Sequence, residues 1–530
     1  MASLAPEKLR IGVVADSALQ PGWIVEALAK VASSGFAELA ILSCESRRPA
    51  RAPVERKPSS IPAILWSSYE GLDRAAFGGG ARWSRPMDIA RLVAPARRGP
   101  ISSYEGDALD VIFAIGDVDD SSLDGKARNG VWRYCFGEGH GTREASAGVR
   151  EVIDGAPVTA SGIRVRLGEG ADRIVYQSWS RTVPISVTKS RGNVFAKAAE
   201  FPVRALRELH AGGASWLAGK TIPAAAPATE TSSRALDVVR DISRMGARVA
   251  RRAGQKALAV EQWSLAFRFT PIEPWTGMLD GFFRLEPPPD RFWADPFPVQ
   301  RGGKNYIFFE ELPFGAGKAH ISVVEVDRAG RASPPVRVLE RDYHLSYPFL
   351  VEDRGDLYMI PETAQNGSVE IYRCVEFPHK WRRERALLEG IRAADATVHR
   401  EGGRWWMFVN CAPEAFEIHD ELHLFSSESL LGDWRPHRRN PVKSDVRSAR
   451  PAGQLFRRGG KLYRPSQICA PLYGSGIAIN HVTRLDSADF SEETERRIVP
   501  ATGSPILGLH TINRSGDLSV MDAFARRRRF

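Results

Sequence analysis

No stretch of these 530 residues approaches the ~18 consecutive apolar residues that a membrane-spanning helix needs. The opening MASLAPEKLRIGVVADS lacks the apolar core of a secretory leader. Cysteine is scarce. The five present (Cys44, Cys135, Cys374, Cys411 and Cys469) are far apart and form no CxxC pair. That argues against a disulfide framework and a structural zinc site, and it predicts a reducing, cytoplasmic setting. The glycines of the first segment form no GxGxxG fingerprint, so no dinucleotide site is expected. Aromatic residues lie in strand patterns, not between basic runs, so the net charge of +10 does not predict a nucleic-acid partner. It suggests an anionic one, a phosphate or a membrane surface. No metal ligand set and no cofactor are implied by these absences.

What the sequence does contain is a hairpin pattern repeated five times in its C-terminal half. ADPFPVQRGGKNYIFFE starts at Ala294, SYPFLVEDRGDLYMIPE at Ser346 and ADATVHREGGRWWMFVN at Ala394. ARPAGQLFRRGGKLYRPSQ starts at Ala449 and LHTINRSGDLSVMD at Leu509. Each joins a short apolar strand to an aromatic-rich strand through a glycine turn in a charged setting, and glycine supplies the positive φ such turns need. Alignment places Asp295, Tyr347, Asp395, Arg450 and His510 at the start of the first strands, spaced by 52, 48, 55 and 60 residues. That is the period of propeller blades. A second column, Glu310, Glu362, Asn410, Gln467 and Asp522, falls near the end of the second strands. Because a ring of blades aims its inner strands at one channel, the two columns are predicted to converge.

The fold expected overall is multidomain: an N-terminal α/β unit with a doubly wound sheet, and a C-terminal all-β five-bladed propeller. The boundaries read as 1–212, a linker and helix over 213–262, and the propeller over 263–530. Leu9–Ala15 reads as a buried parallel strand, Trp23–Ser33 as a helix, and Phe36–Leu42 and Asp110–Ile115 as further strands. Arg47 to Ser59 is basic, Pro-rich and loop-like, and Lys220 to Ser233 is linker-like. Arg234 to Ala257 carries Leu236, Val239, Ile242, Met245, Val249 and Ala253 at helical spacing beside Arg240, Arg244, Arg248, Arg251 and Arg252. This basic helix over 234–257 suits either peripheral membrane contact or packing between domains.

The stretches LRIGVVADS, LDVIFAIG, ARNGVW and EVIDGAPVTASGIRVRLGEGADRIVYQSWS resemble the formyltransferase family, which uses 10-formyltetrahydrofolate. The resemblance implies an Asn-x-His pair and a later Asp, and their counterparts are Arg133, Cys135 and Asp172. An arginine cannot accept a proton and a thiol without a basic partner is a poor base. The implied expectation is a degenerate domain, with His140, beside Glu138 and Gly139, as the one replacement base.

In the propeller, RFWADPF, YPFL, IPET, DATV and RPAGQ resemble the N-terminal domain of plant glucosamine inositolphosphorylceramide transferases. The same domain occurs in bacterial proteins after a formyltransferase-like segment. The order Asp, Glu, Asp across the first three blades also looks like glycoside hydrolase family 43. In the plant enzymes the transfer belongs to a separate C-terminal domain, without counterpart among these residues. Two carboxyls, one ionised and one protonated, are what glycosidic cleavage needs. Asp295 is the expected base, Glu362 the acid and Asp395 a third, tuning carboxylate. Trp293 is the expected sugar platform. Glu310, Tyr347, Asn410, Arg450, Arg464, Gln467 and His510 are expected to bind hydroxyls, a carboxylate or a phosphate. The substrate class expected is an anionic or amino-sugar glycan, a glycolipid or a sugar phosphate. A glycan-binding propeller without turnover, and a formyltransferase acting on a sugar amine, are the alternatives.

Overall fold

The apolar run Leu9–Ala15 forms the second strand of a six-stranded sheet. The computed structural model describes residues 7–44, 61–78, 81–137, 147–168, 172–220, 235–270, 279–413 and 417–528. The expected loop at 47–59, Glu138 to His140 and nearly all of the linker at 220–233 lie outside them. The chain divides into two units, Met1–Arg251 and Arg252–Phe530.

In the first unit the sheet order is Ala37–Cys44, Leu9–Ala15, Val111–Ile115, Val131–Phe136, Val158–Arg166 and Arg173–Arg181. The first four strands are mutually parallel and the last two antiparallel. The sheet departs from the doubly wound expectation. The helix Gly22–Ala32 touches both Val187–Ala198 and Phe201–Ala218, so the long helices gather on one face. The opposite face is covered by Ile101, Leu109, Val118 and Leu123, which come from short 3-10 turns and loops between strands. After the helix Ile61–Phe77, the crossover that follows Ala37–Cys44 returns to the sheet through such turns, two of them opened by proline.

The basic helix forms over Ala235–Leu258. Its stripe packs on the first unit: Met245 is buried against Val152 and Val187, with Ile242 beside them. The Arg248 guanidinium donates to the carbonyls of Val152 and Ile153, the end of the helix Val149–Asp154, where cations complement unsatisfied carbonyls. The buried part of the stripe read as a membrane-facing surface is therefore occupied. No described helix is long and apolar enough to cross a membrane.

The second unit is a five-bladed propeller. Blade one comprises Arg291–Arg301, Lys304–Pro313, His320–Val326 and Val336–Leu339. Blade two comprises Ser346–Asp353, Asp356–Glu362, Ser368–Glu376 and Lys380–Glu389. Blade three is built on Ala393–Glu401, Arg404–Cys411 and Glu421–Ser427, and blade four on Phe456–Arg458, Lys461–Ile468, Gly476–Leu485 and Phe490–Ile498. Blade five combines both ends of the unit. Ile512–Ser515 pairs with Leu518–Arg528, which pairs along its length with Ala259–Arg268. Ring closure thus lies inside the fifth blade, with Phe283–Leu285 outermost. Between blades, Phe297, Phe308, Phe349, Met359 and Trp405 share one core, each large side chain contributing about 1.5–3 kcal/mol by burial.

Three first-column residues share a backbone peculiarity. Asp295, Tyr347 and Asp395 have φ of 51°, 45° and 57°, and each lies in a register break of its hairpin. A non-glycine residue in this region costs on the order of 1–3 kcal/mol and survives only where its surroundings fix it. The bulge turns these three residues out of the alternation of their strands.

Candidate functional site

The second column faces the first through the strand register. Glu310 pairs with Ala294, Glu362 with Ser346 and Asn410 with Ala394, each just before its bulge. In blade four Gln467 N–H donates to the Arg450 carbonyl at 2.7 Å, and in blade five Asp522 N–H donates to Thr511 at 3.3 Å. Both columns therefore end at the same level of the ring.

Two linked groups fill that level. In one, Arg450 holds Asp395 with two bonds, Nε to Oδ2 at 2.6 Å and Nη2 to Oδ1 at 3.1 Å. Nη2 also donates to Glu362 Oε2 at 3.2 Å, and Nη1 to His419 Nδ1 at 3.0 Å. Gln467 Nε2 adds a 2.7 Å bond to Asp395. In the other, His510 lies between two carboxylates, with Nδ1 2.5 Å from Asp522 and Nε2 3.6 Å from Asp295. Asp295 also accepts from the Thr511 hydroxyl at 2.5 Å and from the Tyr347 backbone N–H at 3.2 Å.

Burial and like charges set the proton affinities. Desolvation, then the Asp395 carboxylate, push Glu362 up to about 8 against the pull of Arg450. Desolvation pushes Asp295 up to about 7, opposed by His510. For His510 burial disfavours the charged ring, but Asp522 and Asp295 outweigh it and raise it to about 9. At neutral pH His510 is an imidazolium between its carboxylates. Asp295, His510 and Asp522 also offer one ligand atom each within 4.8 Å of one another, the spacing of a metal set. The His510 proton there offsets the same two carboxylates that a cation would. Burial disfavours protonation of His344, yet Glu310, Glu362 and Asp295 outweigh it and raise its affinity. His344 Nε2 stands 3.2 Å from Glu310 Oε1.

Access separates the carboxyls. The Glu362 side chain is 15% exposed and Asp395 1%, while Asp295 is 5% and Asp522 0% exposed. Glu362 is thus the central acid that a ligand reaches first. Beside it lies an aromatic wall: Trp263 stacks on His510 with ring centres 4.0 Å apart, and half-buried Tyr473 stands edge-on to His510 at 5.3 Å. Tyr473 also carries the Arg450 guanidinium over its face at 5.1 Å.

Of the residues expected from sequence, Asp295, Glu310, Glu362, Asp395, Arg450, Gln467 and His510 come together. Three others are placed elsewhere, and a fourth, Asn410, shares the level without bonding into either group. Tyr347 is fully buried, its hydroxyl bonded to Thr397 and to the Gly453 N–H, so it braces the core and does not face a ligand. Trp293 packs on Phe309 and donates from Nε1 to Glu311, on the strand face opposite Glu310. Arg464 is sealed against Glu492 and the Ser448 and Ala449 carbonyls. Burial opposes ionisation of Glu492, but Arg464 and Lys443 outweigh it and hold it at about 2. Asn410 is wholly buried, and neither amide atom has a partner among the described residues. His344, His419, Tyr473 and Trp263 were not expected, because they come from loops and from the closing strand, outside the hairpin motif.

In the first unit Arg133 donates to the carbonyls of Gly116 and Val118 at 2.8 and 2.6 Å, bracing the loop after Val111–Ile115. Cys135 is 1% exposed, and burial pushes its thiol up to about 12. Asp172 is paired with Arg164 at 2.9 Å.

Among solved structures, the GH43B protein of the Bacteroides ovatus xyloglucan locus is 16% identical, covering 39% of this chain and 43% of its own, with TM-score 0.30. The family 117 glycoside hydrolase Zg3597 of Zobellia galactanivorans is 12% identical, covering 50% and 90%, with TM-score 0.32. Glucosamine inositolphosphorylceramide transferase 1 of Arabidopsis thaliana is 32% identical over 213 residues, 38% of this chain and 27% of that protein. The Oryza sativa subsp. japonica protein of the same name is 31% identical over 208 residues, 38% and 28%. The chain thus spans about a quarter of the length of the curated relatives it matches. Residues 285–501 match the family model described as glucosamine inositolphosphorylceramide transferase 1, N-terminal, and it is to this module that the propeller is similar.

Proposed function

We propose that the centre of the propeller binds a glycan and breaks or transfers a glycosidic bond. The observation that carries this reading is Glu362: the most accessible of the central acids, it keeps its proton near neutral pH because desolvation, and then the Asp395 carboxylate beside it, disfavour its ionised form. As the bond breaks, Glu362 gives its proton to the glycosidic oxygen. Water or an acceptor hydroxyl attacks the anomeric carbon and passes its proton to Asp295, whose affinity near 7 suits a base working at neutral pH. Asp395, held by Arg450 and Gln467, tunes Glu362. The similarity to proteins named for glycosylation of inositolphosphorylceramide supports a glycan or glycolipid substrate.

A second reading, recognition without turnover, is favoured by the bonds that already engage Asp295 from Thr511 and Tyr347. The full chain, assayed on aryl glycosides and oligosaccharides beside Asp295→Asn and Glu362→Gln, separates the two. Turnover by wild type that is lost in both variants supports catalysis, whereas binding by all three without turnover leaves a recognition module. For the first unit we propose a formyltransferase-like fold without its chemistry. A sealed thiol at Cys135 and a carbonyl-bonded Arg133 offer no base for 10-formyltetrahydrofolate-dependent transfer to a sugar amine.

A further inference from the structure

The first unit holds a cleft of its own, with a volume of about 280 Å³. It lies between the helices Ile61–Phe77 and Val187–Ala198, and the turn into strand Pro86–Asp88 forms its third side. Arg133, Cys135 and Asp172 do not line it. The frame is fixed. Asp73 Oδ2 accepts the Thr188 N–H at 2.7 Å and ties the two helices together. On the third side Trp83 is buried and Pro86 pairs with Pro21, so the stretch that carries Arg85 is anchored on both flanks.

Three arginines, Arg74, Arg85 and Arg191, border the cleft beside one carboxylate, Glu70. Glu70 is engaged by Arg191, whose Nη1 lies 3.5 Å from Oε1 while its Nε donates to the Ala147 carbonyl. Arg74 and Arg85 make no hydrogen bond or ion pair among the described residues. The start of Val187–Ala198 adds little, because the Thr188 and Lys189 N–H groups are already bonded to Asp73 and Ser186. Recognition therefore falls to the side chains, and positive charge stays in excess even with Asp73 counted in the wall.

Two unspent guanidinium groups on one cleft repel each other and lack acceptors. A dianion with several oxygens removes both deficits, and the planar fork of arginine matches a phosphate edge. Val187 and Pro86 add apolar lining. The volume is close to the ~300 Å³ at which ligand pockets begin, enough for one ring beside the phosphate. We infer that this cleft binds a phosphate monoester on Arg74 and Arg85, with Arg191, held by Glu70, as its back wall. The site is independent of the glycan reading for the propeller.

The test is calorimetric titration of the full chain at pH 7 and low salt with phenyl phosphate and with benzoate. A monoester is mostly dianionic there, its second pKa being about 6. Wild type is compared with Arg74→Gln/Arg85→Gln and with a charge-matched control, Arg400→Gln/Arg404→Gln, whose arginines are exposed on the propeller. Sedimentation with phosphatidylcholine vesicles, with and without phosphatidic acid, asks whether the phosphate belongs to a lipid. Wild type is expected to bind phenyl phosphate and to prefer it to benzoate. The cleft variant is expected to lose about tenfold or more, the worth of two charge-assisted contacts screened by water, and the control less than about twofold. Binding to phosphatidic acid alone, lost in the cleft variant and kept in the control, supports the same site with a lipid headgroup as its source. Equal losses in both double variants, undiminished binding by the cleft variant, or equal binding of benzoate overturns the inference. So does the absence of binding to phenyl phosphate and to both kinds of vesicle.

Discussion

Replacing Glu362 by glutamine is expected to strengthen the fold while removing turnover, and the size of the gain follows from the site. Folding raises the Glu362 carboxyl from 4.5 to about 8. The folded state therefore binds the proton more tightly, so the contribution to stability is intact below pH ~4.5 and is lost as the pH rises towards 8. At pH 7 the difference corresponds to about 3 kcal/mol at ~1.4 kcal/mol per pH unit, and residual exposure and sharing of the proton with Asp395 reduce it to about 1–3 kcal/mol. Glutamine holds the neutral shape at every pH: its carbonyl can accept from Arg450, and its amide can donate to Asp395. Urea unfolding of wild type and Glu362→Gln at pH 5 and pH 8, followed by tryptophan fluorescence, reads the effect. The two proteins should nearly coincide at pH 5, with the variant ahead at pH 8 and the denaturant slope unchanged. A variant weaker by the same margin at both pH values refutes the account of Glu362. In the turnover assay the same variant should lose about 10²–10⁴-fold, the usual contribution of a positioned acid.

Arg450→Met strips the cation from Asp395 and Glu362. It should cost about 3–5 kcal/mol in chemical denaturation, much of it recovered when Asp395→Leu is added. Gly453→Ala should lower the melting temperature by a loss of about 2 kcal/mol or more, since φ there is 134° and a Cβ would collide with the Ile512 carbonyl oxygen; a variant that melts with wild type contradicts the packing described. Iodoacetamide at pH 8, read by mass spectrometry, should modify exposed Cys44 in the native protein. Cys135 and Cys411, pushed up to about 12 by burial, should react only after unfolding.

The ring and most of its centre were legible because hairpins repeat, and a repeat aligns residues that share a register position. Asp295 and Asp395 stand in the same bulge of their strands, Arg450 holds the aligned position ahead of Phe456–Arg458, and Glu362 and Gln467 answer them. Arg464 was misplaced although strand alternation separates it from Gln467, three residues on, so the two face opposite ways. Trp293 was misplaced because the bulge at Asp295 breaks that alternation, leaving the indole on the Glu311 side. Tyr347 fits the column in its backbone N–H and not in its side chain. His344, His419 and Tyr473 lie in segments without period, where no alignment reveals a partner. The N-terminal strands showed as apolar runs, but the helices' gathering on one face depends on how the chain returns, which composition does not encode.

Closure within the fifth blade has a consequence for the order in which this protein can be made. Strand Ala259–Arg268 leaves the ribosome long before its partner Leu518–Arg528. At the usual pace of synthesis, the roughly 250 intervening residues take about 12–50 seconds. Throughout that interval the strand is an open edge, and His510 and Asp522, an ion pair of the centre, do not yet exist. Asp295 would then meet neither its imidazolium nor its hydroxyl donor. The nascent chain therefore passes through a long window in which it is sticky and inert together, and both conditions end with the arrival of one strand.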